Sequence, residues 1–204
     1  MNLSQLMAKE LGVVTLLGFI LGSIPSGYII GKIWGIDVTK NGSRNIGATN
    51  VKRLAGKTAG VLTLVFDLLK GILATIIPGF LTINFIPQAA AVCGVCAVIG
   101  HCYSPFMGGK GGKGVATSLG VFFSITPLLA FFSVLIFMLV TGVTRYVSLG
   151  SLVGIWFLVI MLWTQTLGAY PKEILWCAIV VATVVTLRHA ENINRLRAGI
   201  ENKY

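Results

Sequence analysis

"TPLLAFFSVLIFMLVTGVTRYVSLGSLVGIWFLVIMLW", Thr126 to Trp163, carries a single charged residue, Arg145, and a single proline, Pro127. It belongs to an apolar run from about 114 to 168, which Pro127 and Arg145 divide into three. A helix crosses roughly 30 Å of hydrocarbon in about 20 residues, so pieces of this kind read as membrane helices. Working outward, further apolar runs lie at about 11–36, 56–83, 86–100 and 172–188. With the pieces at 114–126, 127–144 and 146–168 they make seven segments, two of them short; five or six spans are the alternatives.

Composition agrees. The 204 residues are 55% hydrophobic and 11% charged, where a soluble domain carries about 25% charged. The expected fold is therefore an all-α integral membrane bundle, with one domain over residues 1–204. The first run lacks a basic leader and a small-residue cleavage site, so it reads as a retained span rather than a signal peptide. Cys93, Cys96, Cys102 and Cys177 lie in apolar context and read as small hydrophobes rather than a disulfide framework.

The net charge of +10 would suggest nucleic acid in a soluble chain. Here it follows the membrane. With the N-terminus outside, the inner side receives Lys32, Lys40, Arg44, Lys52, Arg53, Lys57, Lys110, Lys113, Arg145, Arg188, Arg195, Arg197 and Lys203, 13 of the 16 Lys and Arg. That asymmetry gives a cytoplasmic C-terminus for an odd number of spans, and no nucleic-acid partner is needed to account for it.

Polar residues interrupt the apolar pattern at five places. Ser23, Pro25, Ser26 and Gly27 break the inner half of the first span, as a packing kink or as the wall of a polar cavity. "KNGSRNIGATNVKR", Lys40 to Arg53, crowds donors ahead of a helix, as a solvated connector with a cap or as an anion site. "GGKGGKGVAT", Gly108 to Thr117, spells G-x-G-x-x-G at Gly109, Gly111 and Gly114, but no strand precedes it. Nor is it a Walker loop, because Lys113 is followed by Gly114 rather than Ser or Thr. It remains a glycine nest with two lysines before a helix N-terminus, suited to a bound anion or to lipid headgroups. Ser148 and Ser151 share a helix face, for packing or for ligand contact. His189, Asn192 and Arg195 share another near the C-terminus, where a histidine can handle a proton or donate to phosphate.

Two other groups read as structural. Asp67 and Lys70, three apart inside the second span, can neutralise each other. Cys93-x-x-Cys96 with His101 and Cys102 imitates a metal site but lacks a second matched pair. In the seven-span topology all five polar clusters fall at the inner face. They are rich in N–H, hydroxyl and cationic groups, with only Glu191 and Glu201 nearby. Such a site suits anions rather than a divalent metal.

Together, "GSIPSG" at Gly22, "GSRNIGATNVKR" at Gly42, "GHCYSPFMGGKGGKGVAT" at Gly100, "RYVSLGS" at Arg145 and "RHAENINRLRAG" at Arg188 resemble the bacterial acyl-phosphate-dependent glycerol-3-phosphate acyltransferases. The resemblance covers nearly the whole chain. It implies transfer of a fatty acyl group from acyl phosphate to the 1-hydroxyl of sn-glycerol 3-phosphate. The products would be lysophosphatidic acid and phosphate, in the first step of phospholipid synthesis. It also implies no metal or other cofactor, a bacterial inner-membrane location with the site facing the cytoplasm, and contact with membrane lipid. A monomer is expected. No His-x4-Asp dyad occurs, since neither His101 nor His189 has Asp five residues on. Two positions depart from the family pattern: Arg44 stands where glycine is usual, and Gly109 where phenylalanine is usual.

On this reading Lys113, His189, Ser151 and Asn192 carry the chemistry. Ser43, Asn45, Thr49, Asn50, Arg53, Lys110, Gly111, Gly112, Gly114 and Ser23 hold substrate phosphate. Either His189 or a phosphate oxygen of the donor takes the glycerol hydroxyl proton. The competing expectation is an organic-phosphate transporter, built on broken helices and anion-seeking helix ends. A lipid-binding module without catalysis is the third.

Overall fold

The computed structural model describes residues 3–81, 87–165 and 170–203. The described residues are helical with connecting turns. In chain order the helices are α1 (Leu3–Ser23), α2 (Ser26–Ile33), α3 (Ala48–Ile76), α4 (Pro78–Leu81), α5 (Pro87–Cys102), α6 (Val115–Ile125), α7 (Pro127–Thr144), α8 (Val147–Gln165), α9 (Lys172–Arg188) and α10 (Ala190–Arg197). Five stretches are long and apolar enough to cross a membrane: Lys9–Ile33, Ala48–Leu81, Pro87–Met107, Pro127–Thr144 and Val147–Thr164. The α9–α10 pair, bent by 60°, makes a sixth if taken as one span. The segment expected at 114–126 is the 11-residue α6, too short to span alone. The expected run ends at 82–83, 86 and 166–168 lie outside the described residues.

The described residues up to Val121 form one compact unit and those from Phe122 another. In the first, α1 packs along α5, and both pack on α3. The α1–α5 seam is backbone on backbone. A Cβ on Gly18 would strike the Cys93 carbonyl, and one on Gly22 the Ala97 carbonyl. Gly18-x-x-x-Gly22 is the small-residue spacing that lets helices approach this closely in lipid. The chain breaks between α1 and α2 at Pro25, as its missing N–H requires. The carbonyls there are not left bare. Ser104 Oγ donates to Ser23 O at 2.6 Å, and Lys70 Nζ to Ile24 O at 3.0 Å.

Between α2 and α3 a small core of Ile30, Val38, Ile46, Val51 and Ala59 holds the connecting loop, and Met107 packs against it. The helix α3 itself is two helical pieces joined at exposed Gly56, whose φ of 87° is left-handed.

In the second unit α7 and α8 form a hairpin, and α8 packs on α9. The hairpin turns at Arg145, with φ 64° and its N–H donated to Thr141 O at 2.8 Å. Both boundaries read from the sequence, Pro127 and Arg145, end or start a helix as expected.

Candidate active site

The loop from Asp37 to Ala48 is organised by two side chains. Asp37 accepts from Thr39 Oγ1 (2.6 Å), Thr39 N (3.1 Å) and Lys32 Nζ (3.2 Å). The Thr39 hydroxyl, then Lys32, hold its carboxyl down at about 2, against a smaller opposing effect of burial. Asn50, buried on the first turn of α3, does more. Its Oδ1 accepts the Ser43 N–H at 3.0 Å. Its Nδ2 donates to Asn45 O at 2.9 Å, Val38 O at 3.2 Å and Asn41 O at 3.3 Å. Asn45 in turn accepts the Gly47 N–H on its Oδ1 at 2.9 Å. Ser43, Asn45 and Asn50 are thus brought together, with Asn50 as the hub. Thr49 and Arg53 stand exposed on α3, four residues apart on one helix face. Arg44 takes φ 55°, the left-handed region open to the glycine usual in the resembled family. The loop keeps its turn, and the arginine costs roughly 1–2 kcal/mol of backbone strain.

Met107 anchors the Pro105–Met107 turn on the same small core. The glycine-lysine stretch therefore leaves from beside the Asp37–Ala48 loop. It folds back on the end of α5: Gly111 N donates to Cys102 O at 3.2 Å and Gly112 N to His101 O at 2.9 Å. Gly111, Gly112 and Gly114 are buried, Lys113 half-buried and Lys110 exposed. Gly114, at φ 82°, delivers the chain into α6. Two of the nest N–H groups are thus spent on protein carbonyls. The positive charge of the loop is that of Lys110 and Lys113, next to the N-terminus of α6. Ser23 is fully buried in the α1–α5 seam, its hydroxyl donated to Phe19 O at 2.7 Å.

Asp67 and Lys70 form the expected ion pair at 2.9 Å, and both are buried. Sequence reasoning left out the third member, His101, whose Nδ1 faces Asp67 Oδ1 at 3.5 Å. Among the described residues no three His, Cys, Asp or Glu side chains converge as a metal site.

In the second unit His189 is buried at the bend between α9 and α10. Its Nδ1 lies 2.8 Å from Val185 O. A carbonyl can only accept, so Nδ1 carries the proton and the neutral ring keeps Nε2 as its basic nitrogen. Ser151 is buried, with its hydroxyl donated to Val147 O at 2.8 Å. Asn192 Nδ2 donates to Glu201 Oε1 at 2.6 Å, Ser148 Oγ to the same oxygen at 2.8 Å, and Arg195 Nε to Oε2 at 2.6 Å. Lys203 lies over the Tyr146 ring, 5.8 Å from its centroid. The C-terminal tail is thereby bound to the start of α8. Glu201 was legible only as one of two acids near the last polar cluster.

Burial pushes the Glu201 carboxyl up, but the hydrogen bonds from Asn192, Arg195 and Ser148 outweigh it and hold the group below the ordinary glutamate value. A depressed folded pKa means that the stabilisation is present above the unfolded value and lost as pH falls through the folded one. Wild type should therefore resist heat better than Glu201→Gln at pH 7, by roughly 1 kcal/mol after screening at the water edge. The gap should close below the ordinary glutamate range. Thermal unfolding in detergent across pH measures it; a gap that widens in acid contradicts the clasp.

A model of the family described as glycerol-3-phosphate acyltransferase matches residues 12–199. The chain belongs to the glycerol-3-phosphate acyltransferase family. The family's member from Geobacter sulfurreducens is 39% identical over 97% of this chain and 99% of its own. Two crystal structures of PlsY (YgiH), an integral membrane glycerol 3-phosphate acyltransferase, are also similar. The glycerol 3-phosphate form has a TM-score of 0.87 and the lysophosphatidic acid form 0.85, each 39% identical and covering 95% of both chains. All the candidate site residues read from the sequence, from Ser23 to Asn192, lie within the stretch that the family model matches.

Proposed function

We propose that the protein is a bacterial inner-membrane enzyme that transfers a fatty acyl group from acyl phosphate to the 1-hydroxyl of sn-glycerol 3-phosphate. The observation that carries this is the family match from 12 to 199, which takes in every candidate site residue from Ser23 to Asn192. The relatives named as glycerol-3-phosphate acyltransferases supply the acceptor. The acyl phosphate donor fits a donor-rich site in which a good leaving group needs little acid assistance. The chain works as one domain and one monomer. It has seven membrane segments, with α6 as a partial one, the N-terminus outside and the basic loops in the cytoplasm.

In the reaction the glycerol 1-oxygen bonds to the acyl carbonyl carbon, and the carbon–oxygen bond to phosphate breaks. The hydroxyl proton passes to His189 Nε2, and phosphate departs with the bonding pair. Lys113, the loop glycines, Ser43, Asn45, Thr49, Asn50, Arg53, Lys110 and Ser23 form or support the phosphate-holding group. Ser151, Asn192 and His189 serve the hydroxyl. Catalysis consists of bringing two mutually repelling anions together and stabilising the charge that develops.

The test is direct. Purified protein given acyl phosphate and glycerol 3-phosphate, without nucleotide or added metal, should release lysophosphatidic acid and phosphate. The same assay across pH should lose its ascending limb in His189→Ala; an unchanged limb removes His189 as the base. Uptake of glycerol 3-phosphate into sealed vesicles with no product would replace the enzyme by a transporter.

A further inference from the structure

We propose that His101, seated on the Asp67–Lys70 pair, is the positioning residue that sets the 110–114 loop; the consequence for catalysis rests on the function proposed above. The imidazole is enclosed from two sides. On one, its Nδ1 faces Asp67 Oδ1 at 3.5 Å. On the other, Gly112 lies so close that a Cβ there would collide with His101 Nε2. The backbone closes the arrangement, since His101 O accepts the Gly112 N–H at 2.9 Å and Cys102 O the Gly111 N–H at 3.2 Å. The ring is therefore the floor on which the loop lies, and Lys113 follows directly on the residue that touches it.

The floor is rigid for an electrostatic reason. Asp67 is already neutralised by Lys70 at 2.9 Å, and Lys70 is fixed by Ile24 O at 3.0 Å. Asp67, Lys70 and His101 are each no more than 4% exposed as residues. An ion pair in an apolar bundle has few alternative arrangements, because either charge alone would be costly there. The orientation of α3 against the α1–α2 break is thus handed through one imidazole to the loop. Gly112 is glycine because the ring occupies the space of a side chain, a requirement separate from nest formation.

Two variants test it. His101→Asn keeps a nitrogen near the Nδ1 position beside Asp67 and removes the ring edge under Gly112. Gly112→Ala leaves the ion pair untouched and forces the loop off the ring. In each, hydrogen exchange of the Gly111 and Gly112 amides should run about tenfold faster or more, with the helical amides of α3 and α5 unchanged. Apparent KM for glycerol 3-phosphate or for acyl phosphate should rise about tenfold, with kcat within about threefold. The double variant should be no worse than Gly112→Ala alone, because the colliding ring is gone. Loop exchange at the wild-type rate in both variants overturns the proposal, as does faster exchange spread through α3 and α5. So does a double variant whose losses multiply. Exchange is read without turnover, so a wild-type protein inactive in the acyl-transfer assay would refute the enzyme reading and leave this one standing.

Discussion

Lys113→Ala should lower kcat/KM by about 10² or more, the usual cost of removing one preorganised donor from developing charge. Three features single out this lysine. It follows Gly112, whose N–H is tied to His101 O. It precedes Gly114, whose left-handed φ of 82° turns the chain into α6. It is half-buried, whereas Lys110, three residues earlier, is exposed. A cation in water is screened over about 8–10 Å at ordinary ionic strength, and a partly buried one much less. Lys110→Ala should accordingly cost no more than about fivefold, and less at high salt. Lys113→Arg, which keeps the charge but not the compact ammonium, should fall between the two. Initial rates of the purified variants with both phosphate substrates decide the matter. If Lys113→Ala is as active as Lys110→Ala, the loop does not hold the reacting phosphate.

Lys70→Met should be the most damaging single change to stability. It leaves the Asp67 carboxylate without its buried counter-charge and takes one of two donors from Ile24 O, which keeps the Ser26 N–H. Breaking a buried pair by removing one partner costs roughly 3–5 kcal/mol, because the remaining charge is stranded in a low-dielectric interior. Replacing both members by apolar groups of similar size often costs little. Asp67→Leu with Lys70→Met should therefore recover more than half of the single variant's loss. The rest of the deficit, about 0.5–1.5 kcal/mol, is the lost Lys70 hydrogen bond to Ile24 O. Unfolding in detergent, followed by loss of the monodisperse species on heating, measures both variants. A double variant less stable than the single would show that the pair does more than balance itself.

What the sequence disclosed and what it hid divide along the range of the interactions. Pro127 and Arg145 mark helix ends because each acts on its own backbone, so both boundaries were readable. Asp67 and Lys70 were readable as a pair because helical spacing places them on one face. The count of spans was harder: α6 is apolar, but its 11 residues fall short of a membrane's width. Gly56 stood only at the start of the apolar run from 56 to 83, and its φ of 87°, which divides α3, has no signature in that pattern. The candidate site was legible as residue types but not as roles. Asn50 has the composition of an anion donor, yet its amide spans the loop that it sits behind. Glu201 reaches Ser148 across 53 residues of chain, and no local pattern announces such a contact. Nor could spacing bring His101 to Asp67 and Gly112 at once.

The broken helix at Pro25 has a bearing on how the protein is made. The Ser23 carbonyl finds its donor 81 residues further along the chain, and the Ile24 carbonyl, which also accepts the Ser26 N–H, finds a second one 46 residues on. A nascent segment holding only α1 and α2 would keep the Ser26 N–H on the Ile24 carbonyl but present the Ser23 oxygen bare, and hydrocarbon gives it nothing to accept from. The break at Pro25 is therefore completed only after Ser104, just beyond α5, has been made, so the first crossing reaches its final packing no earlier than translation past that residue.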